Sequence, residues 1–149
     1  MKTPISVILA MLSALLFANP AAAQNGPTPV QDVLQEHRAL LEKSSRKTIG
    51  PAIDAFAASG LPQMQGVLEA WRAKDVWQRR EDGLFFRAAK NADGDYDLTD
   101  LDTGRIVGAV PKKALKQLKP NSGIRAMIAT ALVTFQLTDP DPEKRANAL

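Results

Sequence analysis

Residues 51–71, PAIDAFAASGLPQMQGVLEAW, set the frame for the rest of the chain. Pro51 suits the first turn of a helix, where a backbone N–H has no partner to lose. Ile53, Phe56 and Ala57 then fall on one side, which predicts a helix over 51–59. Gly60-Leu61-Pro62 is a tight connector. Pro62 opens the next helix, with an apolar stripe of Met64, Val67, Leu68 and Trp71. Two short helices joined by so short a turn are expected to lie antiparallel.

Toward the amino terminus, Val30, Val33, Leu34, Leu40 and Leu41 recur at helical spacing, predicting one amphipathic helix from Val30 to about Lys43. Ser44-Ser45 weaken it, and Gly50 is the break before Pro51. Earlier still, Lys2 precedes an uncharged apolar run from Ile5 to Phe17, and Ala21-Ala22-Ala23 supplies small residues ahead of Gln24. Charge, apolar core and small-residue site are the layout of a secretory signal peptide. The run is shorter than the roughly 20 residues a spanning helix needs. Cleavage after Ala23 would remove Lys2 and lower the net charge of +3 by one, so basicity is not a feature of the mature chain. An envelope location, secreted across the inner membrane to the periplasmic or extracytoplasmic face, is expected.

Toward the carboxyl terminus the pattern changes. Val76-Trp77 and Leu84-Phe85-Phe86 favour strands, with Asp82-Gly83 as the turn between them. Asn91-Ala92-Asp93-Gly94 is a second turn. Residues 95–102 alternate polar and apolar, predicting a half-buried strand with Tyr96, Leu98 and Leu101 inward. Thr103-Gly104 turns again, and 105–110 (RIVGAV) reads as another strand. Residues 111–119 (PKKALKQLK) read as a short helix ended by Pro120, with Leu115 and Leu118 on one side and lysines on the other. Asn121 or Ser122 is expected to cap a helix over 124–137, and Asp141-Pro142 to cap and open a last one.

The expected organisation is a signal peptide over 1–23 and a polar lead-in over 24–29. A helical hairpin region follows over 30–74, then a β insert over 75–110, then a helical region over 111–149 that is incomplete at its end. The fold class is α+β, mostly helical, with HEAT-like hairpins and a small inserted antiparallel meander. The two hairpin units are 51–71 and 124–149, and such units bury their apolar faces by stacking on neighbours.

Composition narrows the chemistry. There is no Cys and one His in 149 residues, which excludes disulfides, thiol catalysis and Cys/His zinc sites. Hydrophobic residues are 45% and charged ones 23%, the balance of a globular chain rather than a disordered one. With so near a balance of charge, nucleic acid is not an expected partner. No G-x-S-x-G, H-E-x-x-H or phosphate-loop pattern occurs, so no catalytic, cofactor-binding or metal-binding residues are assigned, no cofactor is expected, and the chain is read as a non-enzyme. Asp93, Asp95, Asp97, Asp100 and Asp102 raise the idea of a calcium loop. Started at Asp93, however, the loop has Leu98 at position 6 and Gly104 at position 12, where an EF-hand requires Gly and Glu. A solvated acidic face is expected instead. Lys112, Lys113, Lys116 and Lys119 form a basic cluster that suits anionic headgroups or an acidic partner, but an ordinary amphipathic surface is the plainer reading. His37 on the apolar stripe reads as a packing residue, Arg79-Arg80 with Glu81-Asp82 as mixed surface charge, and Trp71 and Trp77 as core or interface aromatics.

The order of elements carries a resemblance. A signal peptide is followed by the 51–71 hairpin, then by Asp82-Gly83, Asp102-Thr103-Gly104 and Gly108-Ala109-Val110. A basic stretch follows, then Asn121-Ser122-Gly123-Ile124-Arg125-Ala126 and a close from Asp139 to Leu149 of the form D-P-D-P-x-x-R-x-x-A-L. This resembles the amino-terminal extracytoplasmic region of the urea ABC transporter permease subunit, of the branched-chain amino acid permease type. The resemblance implies an accessory docking or scaffold role in urea uptake, with the transmembrane core or other transporter subunits as partners. Since the chain stops as its last helix opens, it reads as a truncated form of such a permease, not transport-competent by itself. No channel residue of that family has a counterpart here to carry over. The alternative is a self-standing periplasmic binding or scaffold module; an envelope enzyme has no specific feature in its favour.

Overall fold

The computed structural model describes residues 28–146. The expected signal peptide, most of the lead-in and the last three residues lie outside the described residues. No helix among the described residues is long and apolar enough to cross a membrane.

Four helices come first. Helix α1 (Pro29–Glu36) starts at Thr28, whose hydroxyl accepts from Gln31 N–H, with Pro29 in the first turn. Helix α2 (Arg38–Glu42) follows after a break at His37. The single helix expected over Val30–Lys43 is thus two, because His37 leaves the helical region at φ −104°. Helices α3 (Gly50–Ala58) and α4 (Gln63–Arg72) are joined through Ser59–Pro62, close to the expected bounds. Lys74 then takes a left-handed φ of 68°, while Asp75 N–H bonds back to Ala70 C=O to close the helix end.

The sheet follows as β1 (Val76–Arg79), β2 (Phe85–Lys90), β3 (Tyr96–Thr99), β4 (Ile106–Val110) and β5 (Leu115–Gln117). Its strand order is β4-β3-β2-β1-β5 and every pair is antiparallel. The α+β class is therefore observed.

One expectation fails. Residues 111–119 do not form a helix: a single 3-10 turn, Lys112–Ala114, leads into β5. The i, i+3 spacing of Leu115 and Leu118 mimics a helix, but the outer edge of β1 decides the outcome. Trp77 aligns with Gln117 and Arg79 with Leu115, and Arg80 N–H and Leu118 N–H bond to Ala114 C=O and Val76 C=O. Pairing an otherwise open edge outweighs a weak local preference for helix.

Helix α5 (Ser122–Leu137) is capped by Asn121, whose side-chain oxygen accepts from Ile124 N–H at 2.9 Å, and it packs on both α3 and α4. The short α6 (Pro142–Ala146) follows Asp141, whose carboxylate accepts from Glu143 N–H.

The main core joins helices α1 to α5 to strands β1 and β2. Phe56, Met64, Leu68 and Trp71 from the helices meet Val76 and Phe85 of the sheet, Leu118, and Ile124 and Ile128 of α5. The opposite face of the sheet buries a second, smaller cluster of Trp77, Phe86, Leu98 and Leu115. Leu98 and Leu101 are both buried as expected, but in different clusters.

Candidate functional site

The features singled out in the sequence are distributed as follows. Asp93, Asp95 and Asp97 lie at the β2–β3 end of β3, and Asp100 and Asp102 at its β3–β4 end. Their hydrogen bonds are local. Asn91 Nδ2 donates to Asp97, and Asp100 accepts from Asp102 N–H, Thr103 N–H and the Thr103 hydroxyl. Among the described residues, no group of three or more His, Asp or Glu could hold a metal ion. The His37 ring meets Phe56 edge-on at 5.8 Å, and Phe56 in turn meets Trp71. Trp71 lies in the main core and Trp77 in the second cluster, its ring 5.1 Å from that of Tyr96.

The β1–β2 turn is held by α1 and α2. Gly83 has φ +77° and is buried, and a Cβ there would meet the Arg38 guanidinium at 2.1 Å. Its carbonyl accepts from Gln35 and Gln78 side chains. Two residues on, Gln31 donates to Phe85 C=O and accepts from Phe85 N–H. Pairing of β2 with β3 stops at Arg87–Thr99, so the Gln31 amide serves Phe85 as the missing strand would. Hydrogen bonds from Arg38 and then Gln78 hold the Glu42 carboxyl below its ordinary range, and they tie α2 to β1.

Arg79 and Arg80, read in the sequence as one patch, divide. Arg79 pairs with Asp82 and sets its guanidinium 4.7 Å from the centre of the Phe86 ring. Hydrogen bonding to Asp82 raises the Arg79 pKa. Burial works against the charge on Asp82, but hydrogen bonds from Arg79 and Leu84 N–H outweigh it and hold the carboxyl below its usual range. Arg80 instead donates from Nε to Leu115 C=O, pinning β5.

That contact brings the basic cluster together. Lys112, Lys113, Lys116 and Lys119 line one open groove of about 610 Å³ with Arg80. Its floor is Trp77 and Leu115. Lys116 Nζ reaches the Glu42 carbonyl at 3.1 Å, a cation at the last turn of α2. Lys112, Lys113 and Lys119 are exposed, and their ammonium groups have no hydrogen-bond or ion-pair partner among the described residues. The sequence identified the four lysines but missed the groove, because Arg80 and Trp77 reach it only through β5–β1 pairing. Several cations around an apolar floor suit an acidic surface. Each contact is weak alone, but the set steers association and makes it salt-dependent.

The fold and groove define an α+β protein with a basic open face. No family model, curated protein or solved structure matches this chain.

Proposed function

We propose that this chain is a non-catalytic docking or scaffold module presented on the extracytoplasmic side of a membrane, serving urea uptake as the accessory region of an ABC permease. The reading rests on the order of sequence elements described above. The structural observation that supports it is the groove of Arg80, Lys112, Lys113, Lys116 and Lys119 over Trp77. The groove would receive an acidic surface of the transmembrane core or of another transporter subunit. The α3–α4 pair with α5 laid on both supports a HEAT-like stacking unit.

The test is charge reversal in cells that carry the intact transporter. Lys112→Glu, Lys113→Glu and Lys119→Glu together are expected to abolish co-isolation with the other subunits and lower urea uptake severalfold, with the chain still folded. Unchanged co-isolation and uptake contradict the reading. Translation of the frame past Leu149 gives a second check, since apolar spans of about 20 residues are expected there.

The alternative, a self-standing periplasmic binding or scaffold module, is favoured by the main core that joins helices and sheet. It predicts one cooperative melt for the isolated chain and no effect of these reversals on urea uptake.

A further inference from the structure

The chain has two Asp-Gly steps, Asp82-Gly83 between β1 and β2 and Asp93-Gly94 between β2 and β3. At such a step the glycine carries no Cβ to keep its backbone nitrogen away from the preceding carboxyl group. The fold treats the two steps in opposite ways.

At Asp82-Gly83 both reacting groups are engaged. The Asp82 carboxylate accepts from the Arg79 guanidinium and from Leu84 N–H. Gly83 N–H donates to Arg79 C=O at 2.8 Å, and the glycine is buried against the Arg38 guanidinium. At Asp93-Gly94 little holds them. The Asp93 carboxylate has no hydrogen-bond or ion-pair partner among the described residues. Gly94 N–H makes one longer turn bond, to Asn91 C=O at 3.2 Å. Both residues are exposed, and a Cβ built on Gly94 meets nothing within 4 Å.

We propose that Asp93 is a site of spontaneous covalent modification, where the folded chain isomerises to isoaspartate, and that the β1–β2 turn protects Asp82 from the same reaction. The step needs no reactant but water. The Gly94 nitrogen attacks Asp93 Cγ and gives up its proton, and one carboxyl oxygen leaves as water. The product is a five-membered succinimide. Water then adds at one of its two carbonyls. Addition at Cγ restores aspartate. Addition at the main-chain carbonyl breaks the bond from that carbon to the Gly94 nitrogen. The chain then runs through Cβ and Cγ, and the former main-chain carbonyl becomes the carboxylate. Mass and charge are unchanged. The extra backbone atom enters between Asn91 and Asp95, where the Asn91 side-chain oxygen accepts from both Asp93 N–H and Asp95 N–H. That turn delivers Tyr96 onto Trp77, the floor of the basic groove.

Trypsin separates the two sites. Cleavage after Arg80, Arg87, Lys90 and Arg105 yields peptides 81–87 and 91–105, each with one Asp-Gly step. The full chain is held folded in warm, neutral buffer for several weeks and then digested. Isoaspartate is read as a second chromatographic peak of equal mass that accepts methyl groups from a protein-isoaspartate methyltransferase. The expected yield in 91–105 is roughly tenfold above that in 81–87, the ratio set by local protection. In chain held unfolded in concentrated guanidinium, the two yields should come within about threefold, since the clamp on Asp82 is gone. Asp93→Glu, which would require a six-membered ring, should remove the 91–105 signal and leave the melting temperature unchanged. Arg79→Gln should raise the 81–87 yield severalfold. A 91–105 peptide without isoaspartate, equal yields in the folded chain, or a signal that survives Asp93→Glu overturns the proposal. So does a tenfold difference that persists on unfolding, or an 81–87 yield unmoved by Arg79→Gln.

Discussion

The two ends of the sheet are finished in opposite ways. At the β1–β5 end, every strand terminus and turn is tied to something. β5 is three residues long with Lys116 at its centre; Arg80 donates to its Leu115 carbonyl, and Lys116 and Gln117 donate to the Glu42 and Lys74 carbonyls. The β1–β2 turn is held by Gln31, Gln35 and Gln78. At the β4 end, a five-residue uncharged strand is hydrogen-bonded to β3 alone, and only its last residue, Val110, packs against the second cluster. The difference teaches where this molecule obtains stability and where it leaves a strand edge open. One edge is blunted by charge and side-chain contacts, while the other keeps its backbone groups available.

Substitutions at the two ends should therefore differ in kind. The largest effect is expected at Leu115, which is 4% exposed. Leu115→Ala should destabilise the chain by about 2–4 kcal/mol, because the second cluster cannot close over the lost methyls. Val107→Ala at the other end should stay within about 0.5 kcal/mol. Urea denaturation of both variants reads the contrast, and equal losses would break it.

Gln31→Leu comes next. It leaves the N–H and C=O of Phe85 buried without partners, at a cost of about 2–3 kcal/mol. Gln31→Glu should not rescue it, since a carboxylate accepts from the N–H but donates nothing to the C=O. Thermal melts of the two variants check this.

The smallest effect is with pH. Glu42 and Asp82 both have lowered carboxyl pKa values in the folded chain. Their stabilisation is complete above the ordinary carboxylate range and is lost as pH falls through the lowered values. Both groups belong to the fastened end. Acidification should thus lower the protection of the Gly83 and Phe85 amides, relative to their intrinsic exchange at each pH, before the melt is reached. Glu42→Gln should flatten part of that acid dependence.

Much of this was legible in the chain. Pro51, Gly60-Leu61-Pro62 and the Met64–Trp71 stripe marked α3 and α4, because helix starts, stops and periodicity are local signals. Asp82-Gly83 and Thr103-Gly104 marked turns for the same reason. The errors came where a distant partner decides. His37 carries no breaker signature, yet its ring packs on Phe56 where α1 ends. Residues 115–117 became a strand because β1 offered them an edge, and no window of local sequence contains β1. The groove went unseen for that same reason: four of its lysines are close in sequence, while Arg80 and Trp77 are supplied by pairing.

The most direct test of the contrast between the two ends is amide hydrogen exchange on the unsubstituted chain. Amides of Ile106–Val110 are expected to be less protected, on average, than those of Gly83 and Phe85 at the fastened end. Protection in β4 equal to or above that of Gly83 and Phe85 would contradict it.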